Sequence, residues 1–478
     1  MSKISLVLFN CDLRIIDNPA FFAALEGDKN SFEGKNNKTI LPIFILDEVN
    51  LRKIGGASRW FLHHGLESLK DELQKNYSLK LITKKGDSLK ILSEIFAQKN
   101  IDKIYFNKQL EPLSIKLQNQ IVKLSEKHKI ASFYFKAQTL FDPSEIKNGG
   151  GDFYKVFTPF WNQCLKNSHK IEKALNAPKP QKLSFDDEIK NDDLDLLPKI
   201  KWYKNFEKIW QFNHKKLRQN FTNFLENKID NYKQARDFPE IEGTSKLSPY
   251  LHFGMISARE IFNIAAQFPA SVGQKHFLTE LGWREFSHHL LYHFPELPSK
   301  NFRSKFDKFP WFYNKEILQK WQRGETGYPI VDAGMNELWQ TGWMHNRVRM
   351  IVGSFLIKDL LIDWRIGEEW FWDCLLDADI ANNASGWQWV AGSGCDAAPY
   401  FRIFNPTLQS ERFDIDGNYI KKWLPQLKNL PKNLIHQPSK ADEKTLKKFG
   451  VELGKNYPAP MLDHASARDM AMMIYKNL

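Results

Sequence analysis

The feature that most constrains this chain is a change of rhythm part-way along it. Up to residue 136, short apolar runs stand at Ile4–Asn10, Ile40–Leu46, Leu79–Lys85, Ile101–Asn107 and Ile130–Lys136. Between them lie helical patterns, at Ala57–Lys75, Ser88–Gln98 and Leu113–His128. Short runs rich in Ile, Leu, Val and aromatics read as buried strands, and their alternation with helices implies βαβ units. The predicted fold of residues 1–135 is therefore an α/β domain with a parallel, Rossmann-like sheet. No GxGxxG follows the first run, so the dinucleotide fingerprint is not part of the expectation. Ligands of such sheets collect at the carboxyl ends of the strands.

Residues 136–200 read as a linker. Asn148-Gly149-Gly150-Gly151, Ala177-Pro178-Lys179-Pro180 and the acidic stretch Asp186-Asp187-Glu188 with Asp192-Asp193 favour turns and surface. From 201 to 478 long helical stretches are broken only by Pro and Gly, which predicts an all-α domain. The chain is long enough for two or three domains, and its 42% hydrophobic content suffices for ordinary cores.

Lys and Arg exceed Asp and Glu by 12, a balance that attracts polyanions. Fifteen Trp are a more unusual feature. No apolar run approaches the length of a membrane span, and Met1–Asn10 reads as a first strand rather than a signal peptide. A cytoplasmic protein is expected. The four cysteines, Cys11, Cys164, Cys374 and Cys395, form no CxxC pair and no zinc pattern, so reduced thiols and no metal site are expected.

Several strings in the second half carry more specific information. They are Glu242-Gly-Thr-Ser-Lys-Leu-Ser-Pro249, Glu280-Leu-Gly-Trp-Arg-Glu-Phe286, Gly327-Tyr-Pro-Ile-Val-Asp-Ala333 and Gly342-Trp-Met-His-Asn-Arg347. A longer one runs from Asp377 to Asn405 and contains Trp387-Gln388-Trp389 and Asp396-Ala-Ala-Pro-Tyr-Phe-Arg-Ile-Phe-Asn405. The first half adds Asp12-Leu-Arg14 with Asp17-Asn-Pro19, and Val156-Phe-Thr-Pro-Phe-Trp161. On chemistry alone, the hydroxyls before Pro249 mark a helix start, a plain N-cap or a phosphate site. An aromatic or a Met on a helix face is ordinarily packing.

Together these strings resemble the photolyase/cryptochrome family, over nearly the whole chain. One departure is visible: Asn10-Cys11 stand where the family usually has two arginines before its Asp-Leu-Arg. Those positions belong to the antenna domain. The resemblance implies that the helical domain binds FAD. The matching positions are Tyr232, Thr244, Ser245, Lys246, Leu247, Ser248, Arg284, Asn346, Arg349, Asp377, Ala378, Asp379 and Asn383. Arg349 and Asp377 are expected to pair, because a buried charge needs a partner.

Asn383 aligns with the residue facing flavin N5, and its spacing to Trp387 favours it over the adjacent Asn382. Repair enzymes of the family carry Asn here, whereas plant-type photoreceptors carry Asp. Glu280, Trp283, Asn346, Met350 and Trp389 match the lesion pocket, an apolar slot with two hydrogen-bonding groups for a flipped-out pair of bases. Glu280 is expected to bond the pyrimidine carbonyls and to stabilise negative charge there. Trp387, Trp364 and Trp311 match an electron relay that reduces the flavin. Arg236, Glu280, Trp283, Arg347 and Gln409 are the expected DNA contacts.

What the resemblance implies is light-driven repair of cyclobutane pyrimidine dimers by electron transfer from reduced FAD, with ultraviolet-damaged DNA as partner and a monomeric enzyme. The alternatives are a cryptochrome-type light sensor and a (6-4) photoproduct enzyme. Asn383, and an end at Leu478 soon after the family-like region, argue against the first. Asn346 and Met350, where the (6-4) branch has histidines, argue against the second. The expected antenna is methenyltetrahydrofolate, with a deazaflavin or no antenna as alternatives. Asn107, Lys108 and Glu111 follow a strand where such a ligand could sit.

Overall fold

The structure, a computed structural model, describes residues 3–26, 39–184, 189–396 and 401–478. Each expected apolar run contains a strand: β1 (Ile4–Phe9), β2 (Thr39–Leu46), β3 (Ile82–Lys85), β4 (Ile101–Asn107) and β5 (Ala131–Phe135). They pair in parallel in the order β3-β2-β1-β4-β5. The order reverses between β1 and β4, the switch point of a doubly wound sheet. Around the sheet lie α1 (Pro19–Glu26), α2 (Gly56–Tyr77), α3 (Ser88–Gln98) and α4 (Pro112–Lys127).

Two local differences from the sequence reading have plain causes. β3 starts three residues late because the amide of Leu79 bonds the carbonyl of Leu73 and closes α2. α1 carries no clear polar stripe; it buries Ala20, Phe21, Ala24 and Leu25, so it lacks the alternation that betrays a surface helix.

The stretch read as a linker is more than surface. Its helix α5 (Phe157–Lys166) buries Phe157, Phe160, Trp161 and Cys164. Further on, Ser184 bridges to Thr39, while Asp192 accepts the Lys85 amide at 3.1 Å and pairs with Lys84 at 3.1 Å. The segment thus covers the open edge of β3, which would otherwise offer unpaired amides. Asp186, Asp187 and Glu188 lie outside the described residues.

From residue 201 the described residues form helices, with one isolated bridge between Leu453 and Tyr457. The helices are α6 (His214–Asn227), α7 (Tyr232–Ala235), α8 (Ser248–His252), α9 (Ala258–Ala266), α10 (Val272–His293), α11 (Lys315–Arg323) and α12 (Pro329–Thr341). There follow α13 (Asn346–Ser354), α14 (Trp364–Cys374), α15 (Ile380–Ala391) and α16 (Pro406–Phe413), and the last helix of all is His464–Lys476. One apolar cluster runs unbroken from Phe9 and Phe21 through Phe61 to Phe253 and Leu281, so sheet and helices share a core. Charged groups reinforce that junction: buried Asp17 accepts Arg259 at 2.5 Å and Ser257 at 2.5 Å. No described helix is long and apolar enough to cross a membrane. The described residues hold no metal-ligating cluster, and all four cysteines are free thiols.

Candidate active site

The helical part encloses a cavity of about 650 Å³, within the range of small-ligand sites. Its walls come from α7, the 243–248 loop, α10, α13 and α15. Helical spacing explains the convergence. On α10, Glu280, Trp283, Arg284 and Ser287 recur every three or four residues on one face, as do Asn346 and Met350 on α13.

In the cavity wall, Arg349 donates to both Asp377 oxygens at 3.1 and 2.9 Å, and its Nε donates to the Met344 carbonyl at 2.7 Å. The expected pair is therefore present in the structure. Ser248 adds its hydroxyl to Asp377 at 2.6 Å. This differs from the hydroxyl cap expected at this helix start. Leu247 occupies the cap position and has no side-chain acceptor, while the buried carboxylate recruits Ser248 instead. Among the described residues, the amides of Ser245, Lys246 and Leu247 meet no protein acceptor.

Asp379 caps α15, accepting the Asn382 amide at 2.8 Å. His288 and His252 stand 3.7 and 3.9 Å from it. Complete burial pulls His288 down to about 4, so it is neutral near pH 7. The Asn383 amide nitrogen donates to the Glu368 carbonyl at 3.0 Å and to its carboxylate at 2.8 Å. Arg52 of the α/β domain grips that carboxylate at 2.8 and 2.9 Å. With its nitrogen spent, Asn383 keeps its carbonyl oxygen for the cavity that it lines.

Glu280, Trp283, Asn346, Met350 and Trp389 also line the cavity, and each keeps some solvent exposure. Burial pushes the Glu280 carboxyl above the usual range, and Arg236 pulls it back. Arg236 reaches it at 2.7 and 2.9 Å and also touches His276 at 3.1 Å. The sequence reading gave Arg236 to DNA and did not foresee this pair. Arg347 is likewise held, by Asp237 at 2.8 Å and over the Phe413 ring at 4.3 Å. Trp283 lies flat on Phe157 of α5, centroids 3.7 Å apart and planes 8° apart.

Tyr232, Thr244, Lys246 and Arg284 also line the cavity; Arg284 is anchored to the Gln138 carbonyl at 2.9 Å. Others fall elsewhere. Ala378 is buried and does not form part of the wall. Gln409 sits on α16, outside the wall. Of the relay tryptophans, Trp387 lines the cavity, Trp364 is fully buried with its Nε1 on Asn301 at 2.9 Å, and Trp311 is half-buried. All three belong to one packed cluster. Ala397 to Tyr400, part of a string used above, lie outside the described residues.

The loop after β4 differs from an open ligand site. Buried Asn107 donates to Asp12 at 2.5 Å and Asn18 at 2.8 Å, and accepts the Ala20 amide, so its amide is spent inside the domain. Lys108 rests on the Tyr134 ring, and burial pushes Glu111 up to about 7.

Glu368, Arg52 and His288 are absent from the sequence reading, and Phe157 had no role assigned in it. Glu368 and Arg52 look like surface charges in their own segments, and only the fold joins residues 316 apart. Phe157 lay in a quoted string, with no signal of what it touches.

The donor set fits FAD. The amides of Ser245, Lys246 and Leu247, the Thr244 and Ser245 hydroxyls and the Arg349 cation suit phosphates, and Asp379 and Asn383 supply acceptors for a ring system.

Comparison with known proteins agrees. Residues 277–477 match the family model described as the FAD binding domain of DNA photolyase, and residues 5–181 match that of DNA photolyase. Deoxyribodipyrimidine photo-lyase of Agrobacterium fabrum is 41% identical, over 98% of this chain and 97% of that protein. Cryptochrome-1 of Arabidopsis thaliana is 34% identical, over 97% of this chain and 69% of that protein. Among solved structures, a bacterial class III photolyase from Agrobacterium tumefaciens superposes with a TM-score of 0.93 at 40% identity, covering 100% of this chain and 98% of that one.

Proposed function

The chain belongs to the DNA photolyase family, and on that premise we propose that it repairs cyclobutane pyrimidine dimers in DNA, driven by light. The observation that carries the dimer reading is one set of residues in the cavity wall. Trp283, Trp389 and Met350 make an apolar slot, and Glu280 and Asn346 bring hydrogen-bonding groups to its edge. A pair of bases must leave the duplex to enter it, and a damaged pair costs less to extrude.

Reduced FAD, once bound, would supply one electron on excitation by light. Arg349, fixed by Asp377, and the 244–248 loop would hold its phosphates. Asn383, whose amide nitrogen is kept by Glu368, would offer the ring system a neutral carbonyl oxygen. Glu280 bonds the pyrimidine carbonyls and stabilises negative charge as it develops there. Arg236 and Arg347 line the same cavity and suit DNA phosphates. Trp387 lines the cavity, Trp364 lies in the core and Trp311 is half-buried; in this reading they relay an electron from solvent to the flavin.

Two further features separate this reading from its neighbours. Asn383 favours repair over light sensing. Asn346 and Met350 favour cyclobutane dimers over (6-4) products. In this reading residues 1–135 hold an antenna, methenyltetrahydrofolate, residues 136–200 connect, and residues 201–478 bind flavin and DNA, with Gln409 on the DNA side. Chromatography of the chromophores released on denaturation checks the antenna, and a sizing column checks the expected monomer, acting in the cytoplasm.

The test of the pocket is substitution. Glu280→Ala and Asn346→Ala should each lower light-driven dimer repair at least tenfold while FAD stays bound. Repair at the unsubstituted rate in both contradicts the pocket assignment.

A further inference from the structure

The string Val156–Trp161 has no role in the scheme above, yet the structure lays it along the helix that carries the lesion pocket. Together with Phe153 and Tyr154 just before it, the string touches α10 from Gly282 to His293. Phe153 stacks on His293 at 4.8 Å and 9°. The Tyr154 amide donates to His289 Nε2 at 3.1 Å. Phe160 meets Phe286 at 5.2 Å. Trp161 crosses Gly282 so closely that an added Cβ there would stand 2.5 Å from its ring, which is why the position holds glycine. In the middle of this strap, Phe157 lies on Trp283.

The strap also reaches a second segment of the cavity wall. The Phe157 amide, at the start of α5, donates to the Asp396 carboxylate at 3.1 Å. Next to it, Cys395 Sγ donates to the Lys155 carbonyl at 3.0 Å. Cys395 and Asp396, in the segment after α15, also line the cavity. Phe157 therefore links Trp283 of α10 to Asp396 of that segment.

We propose that Phe157 is a positioning residue for dimer recognition. It occupies one face of Trp283 and fixes the plane of the indole, so that only the opposite face is offered to a flipped base. Asp396 latches Phe157 in place and sets the width of the slot. Phe157 itself touches neither lesion nor flavin. Aromatic pairs contribute on the order of 1 kcal/mol beyond their buried area, about fivefold in an equilibrium constant, and that is the scale of effect expected from losing the ring. The inference rests on the lesion-pocket reading above.

The test compares the affinity of the FAD-loaded protein for an oligonucleotide with one thymine dimer and for the same oligonucleotide undamaged. Phe157→Leu keeps apolar volume but loses the plane, and should cut the preference for the dimer about fivefold. Phe157→Tyr should restore it to within twofold. Asp396→Asn should lower the preference in the same direction. The flavin spectrum and the rate of flavin photoreduction should stay unchanged in all three, since the strap does not enter the flavin end. A merely structural Phe157 predicts instead that Tyr and Leu behave alike, or that flavin loading falls together with binding. If the unsubstituted protein prefers the dimer and both Phe157→Leu and Asp396→Asn keep that preference, the inference is overturned and the pocket reading survives. If the unsubstituted protein shows no preference, the pocket reading itself fails.

Discussion

At the scale of the residue, the sharpest prediction concerns Asn383. Asn383→Asp places a second carboxyl where the amide now donates to Glu368 at 2.8 Å. Two carboxyls at that distance cannot both ionise, so the new group takes up a proton or turns away. Repair should fall more than tenfold with FAD still bound, as read by dimer loss per flavin under equal illumination. Unchanged repair would mean that the orientation of the amide does not matter. The choice of Asn383 as a candidate came from its string and its spacing to Trp387. The reason its oxygen faces the cavity was not legible, because Glu368 and Arg52 come from α14 and from the loop before α2. The pairing of Arg236 with Glu280 was hidden for the same reason: the two residues are 44 apart and meet only once α7 packs on α10.

At the scale of the element, α10 serves both halves of the molecule. One face lines the cavity, and on another Glu285 accepts the amides of Leu140 and Phe141 at 2.8 and 3.3 Å, fastening the connecting segment. Burial pushes this carboxyl up to about 7, against its ordinary 4.5. A carboxyl raised in the folded state stabilises fully below pH 4.5, and that contribution is lost as pH climbs through 7. Glu285→Gln keeps an acceptor oxygen and never ionises. Relative to the unsubstituted protein it should gain stability between pH 5 and pH 8, by up to about 3 kcal/mol. Urea midpoints of both proteins at the two pH values check this, and parallel midpoints would contradict it. Periodicity predicted α2, α3 and α4 to within two residues because each has one polar face. It was silent on α10, where Glu285, Ser287, His288 and His289 are all buried, so polar residues occupy core positions. His289 accepts the Tyr154 amide and Glu285 accepts the amides of Leu140 and Phe141, partners distant in sequence that no local pattern reports.

At the scale of the whole molecule, the break between an alternating half and a helical half was plain in the sequence, and the structure has it. The shared core was not, since Phe61, Phe253 and Leu281 come together only through the long-range packing of α2 on the helical part. The net charge of +12 belongs to this scale as well. If Arg236 and Arg347 meet phosphates, DNA affinity should fall steeply with salt, and Arg347→Ala should weaken damaged and undamaged DNA alike while reducing the slope of log K against log salt by about 1. A slope that Arg347→Ala leaves intact would place the phosphate contacts elsewhere.

A chain that converts light into the opening of a pyrimidine dimer can be caught doing so in a single assay. The purified protein, with its flavin reduced, is mixed with an oligonucleotide containing a single cyclobutane thymine dimer, and dimer content is followed in blue light and in the dark. The account predicts loss of the dimer in light alone, with many dimers repaired per protein. A flavin-loaded protein that leaves the dimer intact in light would contradict it.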